Sequence, residues 1–346
     1  MNPDSRRWLR RVVAILLVAV PVALGACGQA ARPAVVVYTS VDQVYAEPVL
    51  QRFAQKTGIR VLPVYDVEAT KTTGLVNRLL AEKARPQADV FWNGEFAQTL
   101  LLQDEGVLAP YRSPAAADLP APYVDPEGYW AAVGGRARVL LVNTQQVAPA
   151  DYPRSLTDLL EAGRPGEQIG IANPLFGTTA TQAAALYAAW GPERALAFYA
   201  QLRARGVRIL DGNSVVRDQV AAGQLAMGLT DTDDACGALA RGAPVALVFL
   251  DQEEGGLGTL VIPGTVALVA GAPHPRPARA LIDYLLSAEV EQDLIAGGWS
   301  QIPLRAAGAM PDCLAGAAIR GQAVSLAAIR AQMLPARRDL SEVFIR

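Results

Sequence analysis

Three aspartates follow an apolar run in the second half of the chain, within the stretch "GQLAMGLTDTDDACGA" at residues 223–238. The run ends at Leu229, and Asp231, Asp233 and Asp234 come directly after it. Carboxylates in such a position either cap the start of a helix or face a ligand, because their oxygens accept hydrogen bonds and bind hard cations. Both interpretations remain open on these residues alone.

Further polar side chains lie where predicted strands end and helices begin in the first half of the chain. Thr39 and Ser40 close the strand "AVVVYTS", and Lys71, Thr72 and Thr73 open a predicted helix in "ATKTTG". Ligands of open α/β sheets bind at the carboxyl ends of strands, and the free N–H groups of a helix start attract anions. We therefore expect these residues beside a ligand, although an ordinary solvated position is an equal alternative for Lys71.

Alternating strands and helices are predicted to carry these side chains. "AVVVYTS" is typical of a buried strand, "VDQVYAEPVLQRFAQKTG" of a helix that ends at Gly58, and "IRVLPVYD" and "ADVFWNGE" of the next two strands. The helix between those two strands, "ATKTTGLVNRLLAEKARP", places Leu75, Leu79 and Leu80 on one face. This alternation predicts an α/β fold with largely parallel sheets built by crossover helices.

A proline- and tyrosine-rich connection, "APYRSPAAADLPAPYVDPEGYW", interrupts the alternation and indicates passage to a second lobe. "GRARVLLVNT" restarts the pattern as a strand, and a second α/β set follows. The stretch "GTLVIPGTVALVAGA" is predicted to be a long β segment that returns to the first lobe. A chain of 346 residues is long enough for two packed lobes.

Composition and charge exclude several classes of protein. Lysine and arginine total 31 against 33 acids, so no basic surface indicates a nucleic-acid partner. The single histidine, His274, lies in a proline-rich stretch that predicts a surface loop, so histidine-based triads and metal sites lack support. The sequence does not decide whether Cys236 and Cys313 are bridged, and we expect two buried free thiols.

The amino terminus has the layout of a secretory signal. Four arginines between Arg6 and Arg11 precede the apolar run "VVAILLVAVPVALGA", and Cys27 follows at once. The "LGAC" end resembles a bacterial lipobox, which implies cleavage before Cys27 and a diacylglycerol on its thiol. We expect a signal peptide at residues 1–26, a lipidated linker at 27–34, and a protein anchored outside the cytoplasm to the bacterial cell membrane. An uncleaved membrane helix is the alternative.

The order of segments from "VVVYTS" to the carboxyl terminus resembles the ferric-ion-binding periplasmic proteins, solute-binding components of ABC importers whose relatives bind phosphonates, thiamine and polyamines. The matching motifs are "ADVFWNGEFAQTLLLQDEGVL", "GRARVLLVNT", "IANPLFGTTATQ" and "DGNSVVRDQVAAGQLAMGL". The resemblance implies a two-lobed, type II-like periplasmic-binding-protein fold, each lobe a mixed, mainly parallel sheet flanked by helices. It places residues 35–135 and 264–346 in the first lobe and 136–263 in the second. It also implies a monomer that works with an ABC permease and ATPase.

The resemblance implies an anion pocket in the second lobe. The pocket of the ferric proteins falls on Arg136 in "GGRAR", on Gly177, Thr178 and Thr179 at a helix start, and on Asn213 in "DGNS". The chemistry agrees, because a helix start offers free N–H donors and an arginine fork suits carboxylate, carbonate or phosphonate. An N-capping threonine and a surface arginine are the structural alternatives.

The metal half of the implied site departs from the family pattern. Asp42 stands in place of a histidine, Gly94 with Glu95 beside it in place of a glutamate, and Asp233 and Asp234 in place of two adjacent tyrosines. Carboxylates suit Fe³⁺, Mn²⁺, Ca²⁺ or Mg²⁺, but the loss of both phenolates removes the feature most characteristic of ferric selection. The acids therefore occupy the ligand-facing loop of the family, and Asp42, Glu95, Asp233 and Asp234 are the candidate metal ligands.

These observations predict a binding protein that closes its lobes around cargo, requires no cofactor and is not an enzyme. The favoured cargo is iron(III) or another metal held with a synergistic anion. The alternative is an aminophosphonate, another small zwitterion or a polyamine, with its ammonium against Asp233, Asp234 and Trp92. A secreted hydrolase that uses the acid pairs is the remote alternative, because the sequence has no Gly-x-Ser-x-Gly, Walker, zinc or Rossmann motif.

Overall fold

The computed structural model describes residues 33–66, 73–161, 163–305 and 309–345. The predicted signal peptide, the lipidation site Cys27 and the predicted ligand residues Lys71 and Thr72 lie outside these ranges. Within the ranges, no helix is both long enough and apolar enough to cross a lipid bilayer.

The first lobe opens with the predicted βαβαβ order. Its elements are β1 (Ala34–Thr39), α1 (Gln43–Thr57), β2 (Arg60–Tyr65), α2 (Thr73–Ala81), β3 (Val90–Asn93), α3 (Ala97–Asp104) and β4 (Leu108–Ala109). Helix α1 ends at the predicted residue, because Gly58 has a φ of 71° and its N–H donates to Ala54 O at 2.9 Å. Glycine adopts this left-handed conformation without steric cost.

The second lobe repeats the alternation after one long strand. Its elements are β5 (Ala131–Asn143), α4 (Asp158–Glu161), β6 (Ile169–Ala172), α5 (Gly177–Trp190), α6 (Pro192–Ala204), β7 (Arg208–Leu210), α7 (Asn213–Ala221), β8 (Met227–Asp231), α8 (Thr232–Ala240) and β9 (Val245–Val248). The chain then returns and ends with β10 (Val261–Val269), α9 (Pro275–Leu285), α10 (Ala288–Ala296) and α11 (Leu326–Phe344).

The strands follow one path through both lobes, in the order β2-β1-β3-β10-β5-β8-β6-β7, with β4 on β10 and β9 on β5. The pairs β1–β2, β1–β3, β6–β7 and β6–β8 are parallel, as the crossover helices predict. The crossing strands β5 and β10 run antiparallel to each other and to their neighbours. Each lobe is therefore a mixed sheet, and β5 and β10 join the two.

The crossing strands pack closely against Trp299, which follows α10. Gly134 has a φ of 66°, and a Cβ atom there would lie 2.7 Å from the Trp299 ring. A Cβ on Gly264 would also lie 2.7 Å from that ring, next to the register shift between Pro263 and Gly264 in the β5–β10 ladder. The close approach of the indole therefore requires glycine at both positions.

The last helix, α11, packs on α5 and α6 of the second lobe and also contacts α3 of the first lobe, where Arg330 pairs with Asp104. Ile329, Ala336 and Leu340 are buried in the same apolar cluster as residues of α5 and α6. The physical reason is that the apolar side of α11 faces these helices. The predicted lobe boundaries, including the placement of residues 264–346 in the first lobe, remain a prediction.

Cys236 and Cys313 form a disulfide bond, with 5.5 Å between their Cα atoms. The expectation of two free thiols was therefore wrong. The bridge joins α8 to a short 3-10 turn at Asp312–Leu314, 77 residues further along the chain. It is a second connection between the carboxyl-terminal segment and the second lobe.

His274 directly precedes α9, and its side chain is 43% exposed. Its Nδ1 lies 2.9 Å from Oδ2 of Asp89, which is fully buried at the start of β3. The backbone N–H of Val36 donates to the same carboxylate at 2.7 Å. The contacts of His274 are therefore structural, and it does not line the cleft described next.

Candidate ligand-binding cleft

A cleft of about 680 Å³ lies between the lobes and is lined by loops from both. Four helices begin there, and the residues before them, Asp42, Phe176, Gly212 and Asp231, make no side-chain capping hydrogen bond. The starts of α1, α5, α7 and α8 therefore bring positive helix ends to one place. The cleft is lined by Ser40, Asp42, Tyr45, Gly94, Glu95, Arg136, Ala172, Asn173, Phe176, Gly177, Thr178, Thr179, Asp211, Gly212, Asn213, Ser214, Arg217, Asp231, Asp233, Asp234, Gly237, Arg241 and Trp299.

A buried ion pair between Arg138 and Asp231 supports the second-lobe wall. Arg138 Nη1 donates to Asp231 Oδ1 at 2.8 Å, and the two side chains are 1% and 3% exposed. Arg138 Nε donates to Gln182 Oε1 at 3.0 Å, whereas Nη2 has no partner. Arg138 was not predicted as a site residue, although it follows Arg136 by two residues in a predicted strand, and this spacing places both on one face.

The Asp231 carboxylate collects hydrogen bonds from three elements. Besides Arg138 on β5, Thr178 Oγ1 on α5 donates to Oδ2 at 2.6 Å and Asn213 Nδ2 on α7 donates to Oδ2 at 3.0 Å. Burial would raise the pKa of Asp231, but the charges of Arg138 and Arg136 and the bond from Thr178 hold it below its usual range. Asp231 is therefore an ionised structural residue that fixes the starts of α5 and α7.

The predicted anion-pocket residues come together, with Arg138 joining them directly. Arg138 Nη1 donates to Asn213 Oδ1 at 2.9 Å, and Thr179 Oγ1 donates to the same oxygen at 3.4 Å. Gly177 opens α5 with a φ of 54° and has open space beside it. Arg136 makes no hydrogen bond to this group and contacts Gly94 and Asp233 instead, although it lines the same cleft.

Arg136 connects the two lobes. Its Nη2 donates to Gly94 O in the first lobe at 2.7 Å, and its Nη1 donates to Asp233 Oδ2 in the second lobe at 3.1 Å. The guanidinium lies over the Trp299 ring, 5.8 Å from its centroid. Burial would lower the pKa of Arg136, but Asp233 and Asp231 raise it above its usual value, so the group stays charged. Arg136 Nε and Asp233 Oδ1 are both buried without a partner.

Asp234, next along α8, is held by a cation and a hydroxyl. Arg217 Nη1 donates to its Oδ1 at 2.8 Å, and Thr230 Oγ1 donates to its Oδ2 at 3.2 Å. Burial and the charges of Asp233 and Asp231 raise the pKa of Asp234 to about 7. Burial, with the charge of Asp231, also raises the pKa of Asp233 against the effect of Arg136. The carboxyl groups of Asp233 and Asp234 are therefore stabilised when they bind a proton or when another cation lies beside them.

The first-lobe hydroxyls predicted as ligand groups are already hydrogen bonded. Thr39 is fully buried, and its Oγ1 accepts from the N–H of Val41 at 3.1 Å. Ser40 Oγ accepts from the N–H of Gly94 at 2.9 Å and donates to Asn93 Oδ1. Ser40 lines the cleft and Thr39 lies behind it, where it shapes the turn after β1.

Glu95 borders the cleft, but its carboxylate is used at the start of α3. Oε2 accepts from Ala97 N at 2.7 Å, Oε1 accepts from Gln98 N at 2.9 Å, and Thr181 Oγ1 donates to Oε2 at 3.4 Å. Burial raises the pKa of Glu95 in spite of these bonds. The prediction of Glu95 as a metal ligand is therefore corrected, because both of its oxygens already serve as helix-capping acceptors.

Trp92 does not reach the cleft, which corrects its predicted contact with an ammonium group. It is fully buried on β3 in the first-lobe core, and its indole contacts that of Trp299 edge to face with 6.3 Å between centroids. Trp299 is the tryptophan that lines the cleft. Trp299 lies far from β3 in sequence, so no local pattern predicted its place in the cleft.

Asp42 and Tyr45, at the start of α1, face the acids from the first lobe. Both line the cleft, and Tyr45 was not predicted as a site residue from the sequence. Burial raises the pKa of Tyr45, and the charges of Asp233, Asp42 and Asp234 raise it further. This coupling indicates that the phenol lies close to carboxylates from both lobes.

The structure brings Asp42, Asp233 and Asp234 to one cleft without a ready-made metal cage. Among the described residues, no group of three or more histidine, cysteine, aspartate or glutamate side chains is placed to hold a metal ion. Arg136 and Arg217 pair with Asp233 and Asp234 instead. A metal here would therefore need ligands from the cargo itself or from a closed arrangement of the lobes.

Comparisons with known proteins point to one family. The profile of the bacterial extracellular solute-binding protein family matches residues 86–320. A probable ABC transporter periplasmic-binding protein of Sinorhizobium fredii is 30% identical over 249 residues, covering 70% of this chain and 66% of that protein. The Fe(3+)-binding periplasmic protein of Serratia marcescens is 23% identical over 286 residues, covering 82% of each chain.

Two further comparisons bear on cargo and fold. A putative 2-aminoethylphosphonate-binding periplasmic protein of Salmonella typhimurium is 24% identical over 267 residues, covering 76% of this chain and 75% of that protein. The solved ferric binding protein of Campylobacter jejuni superposes with a TM-score of 0.81 at 20% identity, covering 90% of this chain and 99% of that one. The superposition shows that the fold is that of the two-lobed periplasmic binding proteins, as predicted.

Proposed function

The chain belongs to the bacterial extracellular solute-binding protein family, and we propose that it is the receptor of an ABC importer, with a permease and an ATPase as its partners. It captures a small solute between its lobes and is not an enzyme. Residues from both lobes line one cleft, so a ligand that contacts both walls stabilises the closed state through its higher affinity for that state.

One observation carries the choice of cargo: an acceptor and a donor in the cleft wall are buried without partners. They are Asp233 Oδ1 and Arg136 Nε. A buried polar atom without a hydrogen bond costs about 1–3 kcal/mol, so a ligand that satisfies both atoms binds favourably. We infer a cargo that carries a positive centre for Asp233 and an anionic group for Arg136.

The charge of the cleft supports a positive centre in the cargo. Six acidic residues line the cleft, against the three arginines Arg136, Arg217 and Arg241. An excess of carboxylates in a partly buried space attracts cations and repels simple anions. A purely anionic solute is therefore disfavoured next to α8.

Iron(III) with a synergistic anion is the first candidate for this cargo. Carboxylates are hard oxygen donors, and Asp42, Asp233 and Asp234 provide them from both lobes. The anion would lie against Arg136 and the starts of α5 and α7, where helix ends and hydroxyl groups favour negative charge. The iron-binding relative from Serratia marcescens is consistent with this candidate.

A small zwitterion such as an aminophosphonate is the second candidate, because the described acids form no metal cage. Its ammonium would donate to Asp233 and its phosphonate would accept from Arg136, satisfying the same two unpaired atoms. The relative from Salmonella typhimurium is consistent with this candidate.

The place of action follows from the same proposal. We propose a monomer that works outside the cytoplasm and is anchored to the bacterial cell membrane by a lipid on Cys27. Replacement of Cys27 by alanine should abolish incorporation of radiolabelled palmitate into the protein. Undiminished labelling of that variant would exclude the lipid anchor.

Native mass spectrometry with elemental analysis of the purified protein tests the cargo. We expect either iron with a small anion or an organic zwitterion to copurify, and calorimetry with ferric citrate, 2-aminoethylphosphonate and ethylphosphonate then measures the affinities. Scattering should show a more compact particle at saturation. Turnover of esters, sugars or phosphates without tight equilibrium binding would instead indicate an enzyme.

A further inference from the structure

We propose that the Cys236–Cys313 disulfide positions the cargo-binding aspartates, so that the chain binds its cargo fully only after the bond has formed. This inference rests on the proposed function, because the affinity it concerns is the affinity for the cargo proposed there. Cys236 lies two residues after Asp234 in α8, the helix whose first turn carries both cleft acids. The bond therefore acts on the same short helix that forms one wall of the cleft.

The sequence of α8 explains why this helix needs a covalent anchor. In "TDDACGALA", Leu239 is the only large apolar side chain, and it is only partly buried. Gly237 lies inside the helix, where glycine is less favourable than alanine by about 1 kcal/mol. Burial of alanine side chains removes little apolar surface from water, so packing alone holds α8 weakly.

Electrostatic forces at the start of α8 also oppose a fixed position. Asp231, Asp233 and Asp234 lie within four residues, and like charges repel. Asp231, just before the helix, is held by Arg138, Thr178 and Asn213. Within the helix, Asp233 pairs with Arg136 alone, and Asp234 with Arg217 and Thr230. Thr232 Oγ1 accepts from the N–H of Ala137 at 3.0 Å and donates to Gln301 Oε1 at 3.1 Å. If α8 shifts, the free oxygen of Asp233 moves away from the position that faces Arg136 and the first lobe.

The other end of the bond lies in a segment with its own support. Leu314 is 2% exposed and clusters with Ala137, Cys236 and Ile302. The same segment runs on through a bridge between Thr259 and Gly321 to helix α11, which packs on α5 and α6. Packing therefore holds Cys313 in place, and the disulfide limits how far α8 can move from it.

Formation of the bond requires an oxidant. The two thiols lose two protons and two electrons to the disulfide of a thiol–disulfide exchange protein, which leaves as a dithiol. Such oxidants act outside the cytoplasm, whereas the cytoplasm keeps thiols reduced. A chain that has not yet been exported would therefore bind the cytoplasmic pool of its cargo poorly.

The test compares oxidised wild type, wild type reduced with dithiothreitol and desalted without oxygen, and the C236A/C313A variant. Calorimetry with ferric citrate and with 2-aminoethylphosphonate, well below each unfolding temperature, measures affinity. Hydrogen exchange followed by mass spectrometry measures the opening of residues 232–236. In reduced wild type and in C236A/C313A, the two forms without the disulfide, we expect at least tenfold weaker binding and at least tenfold faster exchange than in oxidised wild type.

Arg305→Ala is the matched control, because it removes buried contacts of the first lobe to Glu291 and Ala115 and touches no part of α8. It should lower the unfolding temperature without changing affinity or the exchange of 232–236. The proposal is overturned if the two forms without the disulfide bind with the affinity of oxidised wild type, or if their exchange in α8 is unchanged. If oxidised wild type binds neither probe, those cargo candidates fail, and the exchange measurement alone decides the role of the disulfide. If C236A/C313A does not fold, the reduced wild type provides both measurements.

Discussion

Arg138 and Asp231 lie opposite each other on the neighbouring strands β5 and β8, and their side chains form a fully buried ion pair. The pair is linked by hydrogen bonds to Thr178 at the start of α5 and to Asn213 at the start of α7. A single carboxylate thus sets the positions of two helix starts. The floor of the cleft is therefore a structural network rather than a set of free ligand groups.

Arg138→Ala should lower the free energy of unfolding by about 3–5 kcal/mol, because it leaves Asp231 buried and without its cation. Urea denaturation followed by circular dichroism measures the loss. Arg154→Ala is the control, since the Arg154–Glu253 pair is 78% and 71% exposed and such pairs contribute about 0–1 kcal/mol. Equal losses in the two variants would contradict the structural role of Arg138.

Replacement of both Asp233 and Asp234 by asparagine should weaken a cargo that carries a positive centre. For an aminophosphonate the lost charge-assisted hydrogen bond corresponds to about 1.5–3 kcal/mol, or roughly 10- to 150-fold in affinity. Ethylphosphonate, which lacks the amine, should be affected far less, whereas ferric binding should collapse. Calorimetry measures all three, with the exposed and distant Asp151→Asn as the control. Unchanged affinity for the natural cargo would show that both acids serve only the helix start.

Stability should depend on pH through Asp234. Its folded pKa is about 7, above the unfolded value of about 3.9, so the folded state keeps a proton that the unfolded chain has released. The stability contributed by this group is fully present below about pH 4 and is lost as the pH rises through about 7. Between pH 5 and pH 8, the free energy of unfolding of the wild type, measured with urea, should therefore fall relative to that of Asp234→Asn. A constant difference between the two proteins would place the pKa of Asp234 elsewhere.

Cargo affinity should rise with pH, whereas the stability contributed by Asp234 falls. A metal or ammonium competes with the proton on Asp234, so affinity should rise with pH up to about 7 and then level off, at no more than about tenfold per pH unit. Titration calorimetry between pH 5 and pH 8 measures the slope. Asp234→Asn should flatten it, and an equal slope in that variant would assign the dependence to another group.

Gly134→Ala should destabilise the protein more than Gly58→Ala. Both glycines have a positive φ, 66° and 71°, so both substitutions carry a left-handed penalty of about 1–2 kcal/mol. Only at Gly134 does the new methyl meet the Trp299 ring, which adds about 1–3 kcal/mol of overpacking. Thermal unfolding of the two variants measures the difference. Equal midpoints would mean that Trp299 can move aside.

Local patterns predicted most of the fold. The βαβαβ opening, the end of α1 at Gly58 and the α5 start near Thr178 follow from alternation, glycine and helix-start chemistry that lie within short windows of sequence. The position of the acids at the start of α8 was also predicted, although their contacts were not. In this chain, windows of a dozen residues contain enough information to locate elements and the loops that face the cleft.

Long-range packing was harder to predict. The Cys236–Cys313 bridge spans 77 residues, and α11 joins the second lobe because its apolar side fits α5 and α6, which no local pattern encodes. Arg138 was missed because a buried arginine is recognised by its partner Asp231, which lies 93 residues away. Tyr45 was missed because its importance depends on acids that the other lobe supplies.

The packing of α11 places the two ends of the described chain on different bodies. The first strand begins at Ala34 in the first lobe, whereas α11 ends at Phe344, whose ring contacts Tyr199 of the second lobe edge to face. A closure of the lobes that carries α11 with the second lobe would therefore change the distance between the chain ends. A donor and an acceptor fluorophore, one attached next to each end, would report cargo occupancy by energy transfer without any label near the cleft.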